Sequence, residues 1–141
     1  MRRLLVGGTF WMTSLVAAHS QTPNLLLFDA DHKTFIGCLN CSNSDSGSVC
    51  NKYGDNGSKY ANDSIWYQDG DFGSRRSNKS PWNKYSSEGP VIVDESGQFY
   101  GRFTANKNAS DRTQIKALNQ LADLVADGTE LDDARNLFCG E

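Results

Sequence analysis

The rhythm of apolar and polar positions changes along the chain, and each change predicts an element. Leu25–Phe28 and Phe35–Leu39 are apolar runs on either side of polar Asp29–Lys33, which reads as a β-hairpin. Val91–Val93, the turn Asp94-Glu95-Ser96-Gly97, and the alternation of Phe99, Gly101 and Phe103 repeat that grammar. Phe35-Ile36-Gly37 and Phe99-Tyr100-Gly101 match in type, and a glycine in mid-strand predicts a bulge or a close backbone approach. Two hairpins with apolar faces are expected to pair into one four-stranded antiparallel sheet, about the smallest that is stable alone. Further on, Ile115, Leu118, Leu121, Ala122 and Val125 recur at three- and four-residue steps and predict a helix. Ser110 or Thr113 is the expected cap and Gly128 the stop. Thr129-Glu130-Leu131-Asp132 resembles a capping box, which predicts a short second helix that turns Leu131, Leu137 and Phe138 inward and ends at Cys139.

Between the hairpins, residues 48–90 follow neither rhythm. Aligning Ser48, Ser64 and Ser80 sets Cys50, Trp66 and Trp82 in one column. Gly57, Gly73 and Gly89 fall in another, and Tyr53 and Tyr85 in a third that Asp69 breaks. The reading is a Gly/Ser/Tyr-rich 16-residue repeat, too poor in large apolar residues to bury a face alone and therefore packed on the sheet. The regular Trp/Cys column argues against disorder. The fold class expected is α+β: one domain, residues 21–141, with the repeat segment inserted between two hairpins and a helical C-terminus.

Charge and cysteine content add the setting. Arg2 and Arg3 precede an uncharged run, Leu4 to Ala18, and Ala18-His19-Ser20 places small residues before a cut at Gln21. That is the pattern of a secretory signal peptide over residues 1–20, too short for a membrane anchor. Its removal leaves 12 basic and 17 acidic side chains, a balance of −5, which speaks against a general nucleic-acid binder. The local cluster of Arg75, Arg76 and Lys79 reads as a solvated loop. Cys38, Cys41, Cys50 and Cys139 all follow the expected cut, so they read as two disulfides of an exported domain. Three pairings are open. The local C-x-x-C favours Cys38–Cys41, which leaves Cys50–Cys139. A four-cysteine zinc site and a redox-active C-x-x-C are the alternatives.

Candidate chemistry is sparse. His32 is the one histidine after the expected cut and reads as an exposed turn residue, with Asp29 and Asp31 beside it as ordinary turn carboxylates. No G-x-S-x-G or H-E-x-x-H occurs, so no catalytic residue is assigned, and no pattern calls for a cofactor or a metal. Gly54-Asp55-Asn56-Gly57 and Asp69-Gly70-Asp71 carry oxygen ligands suited to calcium, but turn formation explains them without an ion. The Asn-x-Ser sequons at Asn40, Asn56, Asn62, Asn78 and Asn108 are what so much Asn and Ser produces by chance. The aromatics divide. Trp66 and Trp82, aligned with a cysteine, are expected inside. Tyr53, Tyr60, Tyr67 and Tyr85 are the candidate binding residues, able to stack on sugar faces with Asn and Ser supplying hydrogen bonds.

The segments "FIGCLNC", "NKYGDNGSKY", "SPWNKYSS" and "GPVIVDESGQFYGRFTANK" together resemble a family of small exported bacterial proteins of uncharacterised function. Its pattern is a C-x-x-C hairpin, Tyr-Gly-Ser-Lys-Tyr repeats and a Val-Ile-Val-Asp hairpin. The resemblance covers most of residues 25–125. It implies a bacterial source and a secreted or periplasmic location, and brings no activity with it. The chain departs from the pattern at Asp69 and Arg76, where repeat tyrosines are missing. The function expected is a non-catalytic exported module with a binding or structural role at the bacterial envelope or outside the cell, its partner an envelope polysaccharide or another exported protein, with no nucleic-acid partner and no stable membrane anchor once cleaved. A small exported enzyme, thiol-dependent or carboxylate-dependent, and a cysteine-based metal module are the alternatives.

Overall fold

The computed structural model describes residues 22–141. The expected signal peptide and its cut before Gln21 lie outside the described residues. Strands β1 (Leu26–Phe28), β2 (Phe35–Cys38), β3 (Val91–Val93) and β4 (Phe99–Arg102) form one antiparallel sheet in the order β2-β1-β3-β4. The hairpins meet along β1 and β3, with Leu27 opposite Ile92, both fully buried. Each hairpin carries the irregularity its glycine implied: the register shifts between Leu27 and Phe28 and between Val91 and Val93. Gly37 backs onto Val49 and Gly101 onto Thr113, so both glycines also mark close approaches. The likeness extends past the strands. Residues 47–49 return to bond Cys38, and residues 111–113 return to bond Arg102 in the same way.

Helices α1 (Lys116–Ala126) and α2 (Leu131–Cys139) complete this small α+β fold. Leu118, Leu121, Ala122 and Val125 face the core, and the chain leaves α1 through Asp127 and Gly128. The expected caps are corrected. The N-cap of α1 is Ile115, with no side-chain cap bond, because the Thr113 hydroxyl is committed elsewhere. It donates to Tyr100 O and accepts from the Ile115 N–H, tying the helix entry to β4. The capping box does not form either, since Glu130 rather than Thr129 is the N-cap of α2. Leu137 is 70% exposed, not inward. The stripe that turns in is Leu131, Ala134 and Arg135, with Phe138 half-buried beside it.

From Asp45 to Ser86 the backbone runs through turn after turn. The N–H of Ser48 bonds Asp45 O, Asn51 bonds Ser48 O, Gly54 bonds Asn51 O, and the series continues past Tyr67 and Ser80 to Ser86. Side chains lock the corners. The Ser48, Ser64 and Ser80 hydroxyls accept the N–H of Cys50, Trp66 and Trp82, the Ser/Thr version of a turn closed two residues on. The same three serines are completely buried. The Trp66 indole donates to Val49 O at 2.7 Å and the Trp82 indole to Ile65 O at 2.8 Å, laying each winding of turns on the one before. The two rings stack at 5.8 Å, and Trp82 meets Phe103 edge-on at 5.4 Å, joining the turns to the sheet. Gly54–Gly57 and Asp69–Asp71, whose oxygens suit calcium but which read as turns, lie in this series; Gly54–Gly57 and Gly70–Gly73 are corresponding turns.

Each of those turns ends on a glycine pressed against backbone. A Cβ on Gly57 would lie 2.0 Å from Asn51 O, and one on Gly73 would lie 1.9 Å from Tyr67 O. Backbone cannot swing aside as a side-chain tip can. Gly57→Ala and Gly73→Ala are therefore expected to cost about 1–3 kcal/mol or more, the range of overpacked cores. Urea unfolding checks this, and a variant as stable as the parent would show that the winding yields at that corner.

Arg75, Arg76 and Lys79 are exposed, as the loop reading has them, but Arg75 and Lys79 also bond to the rest of the fold. Arg75 donates from Nε to Val125 O and from Nη2 to Thr129 O, both at 2.6 Å, so a cation covers the carbonyl end of α1, where the helix dipole favours it. Lys79 pairs with the buried Asp29 at 3.5 Å.

Candidate functional site

All four cysteines are paired. Cys38–Cys41 closes the end of β2, and Cys50–Cys139 ties the first winding to the last residue of α2. Disulfides of this kind belong to an oxidising compartment. Among the described residues there is no free cysteine, no group of three metal-ligating side chains, and no helix long and apolar enough to cross a membrane.

The tyrosines stand where packing leaves them. Tyr53, Tyr60 and Tyr85 are 96%, 76% and 83% exposed, whereas Trp66 and Trp82 are 1% exposed. Asn51 and Asn83 explain part of this. The amide oxygen of each accepts the N–H of Tyr53 or Tyr85, and the amide nitrogen donates back to Asp45 O or Ser77 O, so the turn presents the tyrosine outward. The Ser58 hydroxyl likewise accepts the N–H of Tyr60. The ammonium groups of Lys59 and Lys84 lie 5.5 Å from the ring centres of Tyr60 and Tyr85. Tyr67 holds the position that Asn51 and Asn83 hold elsewhere and is half-buried.

Two clefts open on the seam between the turns and α2. The first, about 370 Å³, is lined by Lys52, Lys59, Tyr60, Asp132, Arg135 and Asn136, among others. The second, about 260 Å³, includes Tyr60, Tyr67, Gln68, Asp69, Glu130 and Asp132 in its lining. Of the four candidate tyrosines, the structure brings Tyr60 and Tyr67 together in the second cleft. Tyr53 and Tyr85 line neither. Sequence reasoning missed Arg135, whose side chain is 6% exposed. It donates to Cys50 O at 3.0 Å and to the Glu141 carboxylate at 3.1 Å. Its signal was its place in the inward stripe of α2, three residues before Phe138 and four after Leu131. The Glu141 carboxyl is held below the usual carboxylate range by Lys52 first, at 3.0 Å, and then by Arg135.

The hairpin turns hold carboxylates of another kind. Asp94 accepts from the Ser96 hydroxyl, the Tyr100 hydroxyl and the N–H groups of Ser96 and Gln98, which lower its pKa to about 2. The same bond raises the Tyr100 hydroxyl. A carboxyl depressed in the folded state stabilises it fully above the unfolded value of 3.8 and loses that contribution as pH falls towards about 2. Acid titration across pH 4 to 2 is therefore expected to loosen the β3–β4 turn, followed by amide exchange at Ser96 and Gln98. Asp94→Asn should flatten that dependence, and an unchanged profile would exclude Asp94 as its source. In the first hairpin His32 is exposed, as expected, and adopts φ 63°, the left-handed conformation that Gly97 takes in the second.

No protein-family model, curated protein or solved structure matches the chain.

Proposed function

We propose that the protein is an exported, non-catalytic module that binds polysaccharide at the bacterial envelope or outside the cell. The observation that carries this reading is the division of aromatics: the large rings that pack are buried, and three tyrosines stand outward on turns locked by their own side chains. A ring presented on a rigid support loses little freedom when a sugar face covers it, and its hydroxyl and the adjoining Asn and Ser groups suit sugar hydroxyls. Export is supported by the signal-like N-terminus, by the two disulfides and by the resemblance to small exported bacterial proteins. Contact with another exported protein is the competing use of the same tyrosines.

The test is a pull-down on peptidoglycan and other envelope polysaccharides with Tyr53→Ala, Tyr60→Ala and Tyr85→Ala, singly and together. Each ring is expected to contribute about 1 kcal/mol, roughly fivefold in affinity. The triple variant should lose retention while melting like the parent. Retention unchanged in the triple variant would move the ligand off these tyrosines. A second reading has one observation behind it: Asp69, Glu130 and Asp132 share a cleft, as a carboxylate-dependent hydrolase requires. Shortened glycan products in the same incubation would replace binding with hydrolysis.

A further inference from the structure

The geometry points to the seam between the turns and α2 as a two-part cleft for an acidic glycan in which carboxylated and neutral rings alternate. This rests on the polysaccharide reading above, specifies its substrate class and narrows its platform to Tyr60 with Tyr67, since Tyr53 and Tyr85 line neither cleft. The two clefts share Lys59, Tyr60 and Asp132. Their divider is the Lys59–Asp132 ion pair, 3.5 Å long, with side chains 49% and 61% exposed. A pair so exposed contributes little to stability, so ligand groups can take its place. A chain that crosses Tyr60 would set one ring in each cleft.

The two halves differ in charge. The first has Lys52, Lys59 and Arg135 against Asp132 and against Glu141, which bridges Lys52 and Arg135, so cations exceed carboxylates by one. The second has Asp69, Glu130 and Asp132 against Lys59. A carboxylate is favoured in the first and repelled in the second. In the second, a neutral ring can lay its apolar face against Tyr60 or Tyr67 and donate its hydroxyls to the carboxylates. The molecule also displays how a carboxylate is held in the first half. Glu141 bridges Lys52 at 3.0 Å and Arg135 at 3.1 Å. Arg135 is fixed for this by the bond from its Nη2 to Cys50 O, so its Nη1 meets the Glu141 carboxylate at little further cost in side-chain freedom. Glu141 thus stands in for the ligand and competes with it.

Titration calorimetry of the exported protein with three tetrasaccharides tests the proposal: hyaluronan, which alternates carboxylated and neutral rings; chitotetraose, which is neutral; and tetragalacturonate, which is acidic throughout. Hyaluronan is expected to bind about tenfold more tightly than either, the worth of one charge-assisted contact. Glu141→Gln should raise the affinity for hyaluronan several-fold and leave chitotetraose unchanged. Lys52→Gln should lower hyaluronan alone. The Lys52 and Glu141 side chains are 54% and 27% exposed, and because Glu141 neutralises the buried Arg135, thermal melting of each variant is read beside its binding. Chitotetraose binding as tightly as hyaluronan would overturn the acidic-glycan assignment and keep the polysaccharide reading. Hyaluronan binding that neither variant alters would move the site elsewhere. Binding of none of the three overturns the assignment; whether the polysaccharide reading also falls is then decided by the envelope pull-down.

Discussion

Replacing both Cys50 and Cys139 with alanine is expected to lower stability by roughly 4–5 kcal/mol, the loop-entropy value for closing a loop of this length. The two residues are 89 apart in sequence, so the crosslink restricts most of the unfolded chain. The loss is a large share of what a domain of this size holds in reserve. The double replacement avoids leaving one thiol free. Cys38 and Cys41 are 3 apart, and the same argument gives only about 2 kcal/mol for removing their bond. Urea unfolding of the two double variants should therefore rank them clearly. The opposite ranking would mean that α2 stays docked through Leu131, Ala134 and Arg135 without its tether. Both seam clefts have α2 as a wall, so the Cys50/Cys139 variant should also lose glycan binding before it unfolds.

Trp66→Ala is expected to cost about 3–5 kcal/mol, as other aromatic-to-alanine changes in cores do. The ring is 1% exposed, stacks on Trp82, and supplies the donor for the carbonyl of fully buried Val49. Truncation leaves a hole between windings and a carbonyl without a partner, and the second effect adds to the first. Tyr85→Ala should stay within about 0.5 kcal/mol of the parent, because an exposed ring is being removed from an intact turn. Thermal unfolding of the two variants side by side makes the comparison. If the tryptophan variant melted like the parent and lost polysaccharide binding, the tryptophans would be the binding platform and the tyrosines decoration.

The sheet was legible because its determinants are local. Apolar runs of three to five residues flank turns that begin with Asp29 and Asp94, and both aspartates close their turns by backbone bonds to Thr34 and Gln98. The inward face of the turns was legible from a single column, Cys50 with Trp66 and Trp82. What the column did not reveal is the burial of Ser48, Ser64 and Ser80. A serine reads as polar surface until its hydroxyl is seen to close a turn and so carry no unmet hydrogen bond inward. The inward face of α2 was misread at Leu137 because hydrophobicity was weighed above geometry. The tether at Cys139 and the stripe through Leu131 and Ala134 set the helix's rotation, which turns Arg135 in and Leu137 out. The seam clefts were not legible, since they form between segments more than sixty residues apart whose approach no local pattern encodes.

The turns from Ser48 to Gly89 are gripped along their whole length. Cys139 holds the first winding, and Arg75 fastens the second to the end of α1. Gly89 and Ser86 of the third accept from Arg102 and Asn106, next to the sheet. The sheet and the helices therefore work as a ruler. Excising Ser64 through Lys79 would splice Asp63 to Ser80 without breaking the turn rhythm, and Trp82 would meet Val49 as Trp66 does now. The shortened stack would still fail to span the sheet, from Cys38 on β2, where residues 47–49 bond, to Arg102 on β4, where Gly89 is held. Gene-length drift in such a stretch is thereby checked from outside it, by a sheet and a pair of helices that share none of its pattern.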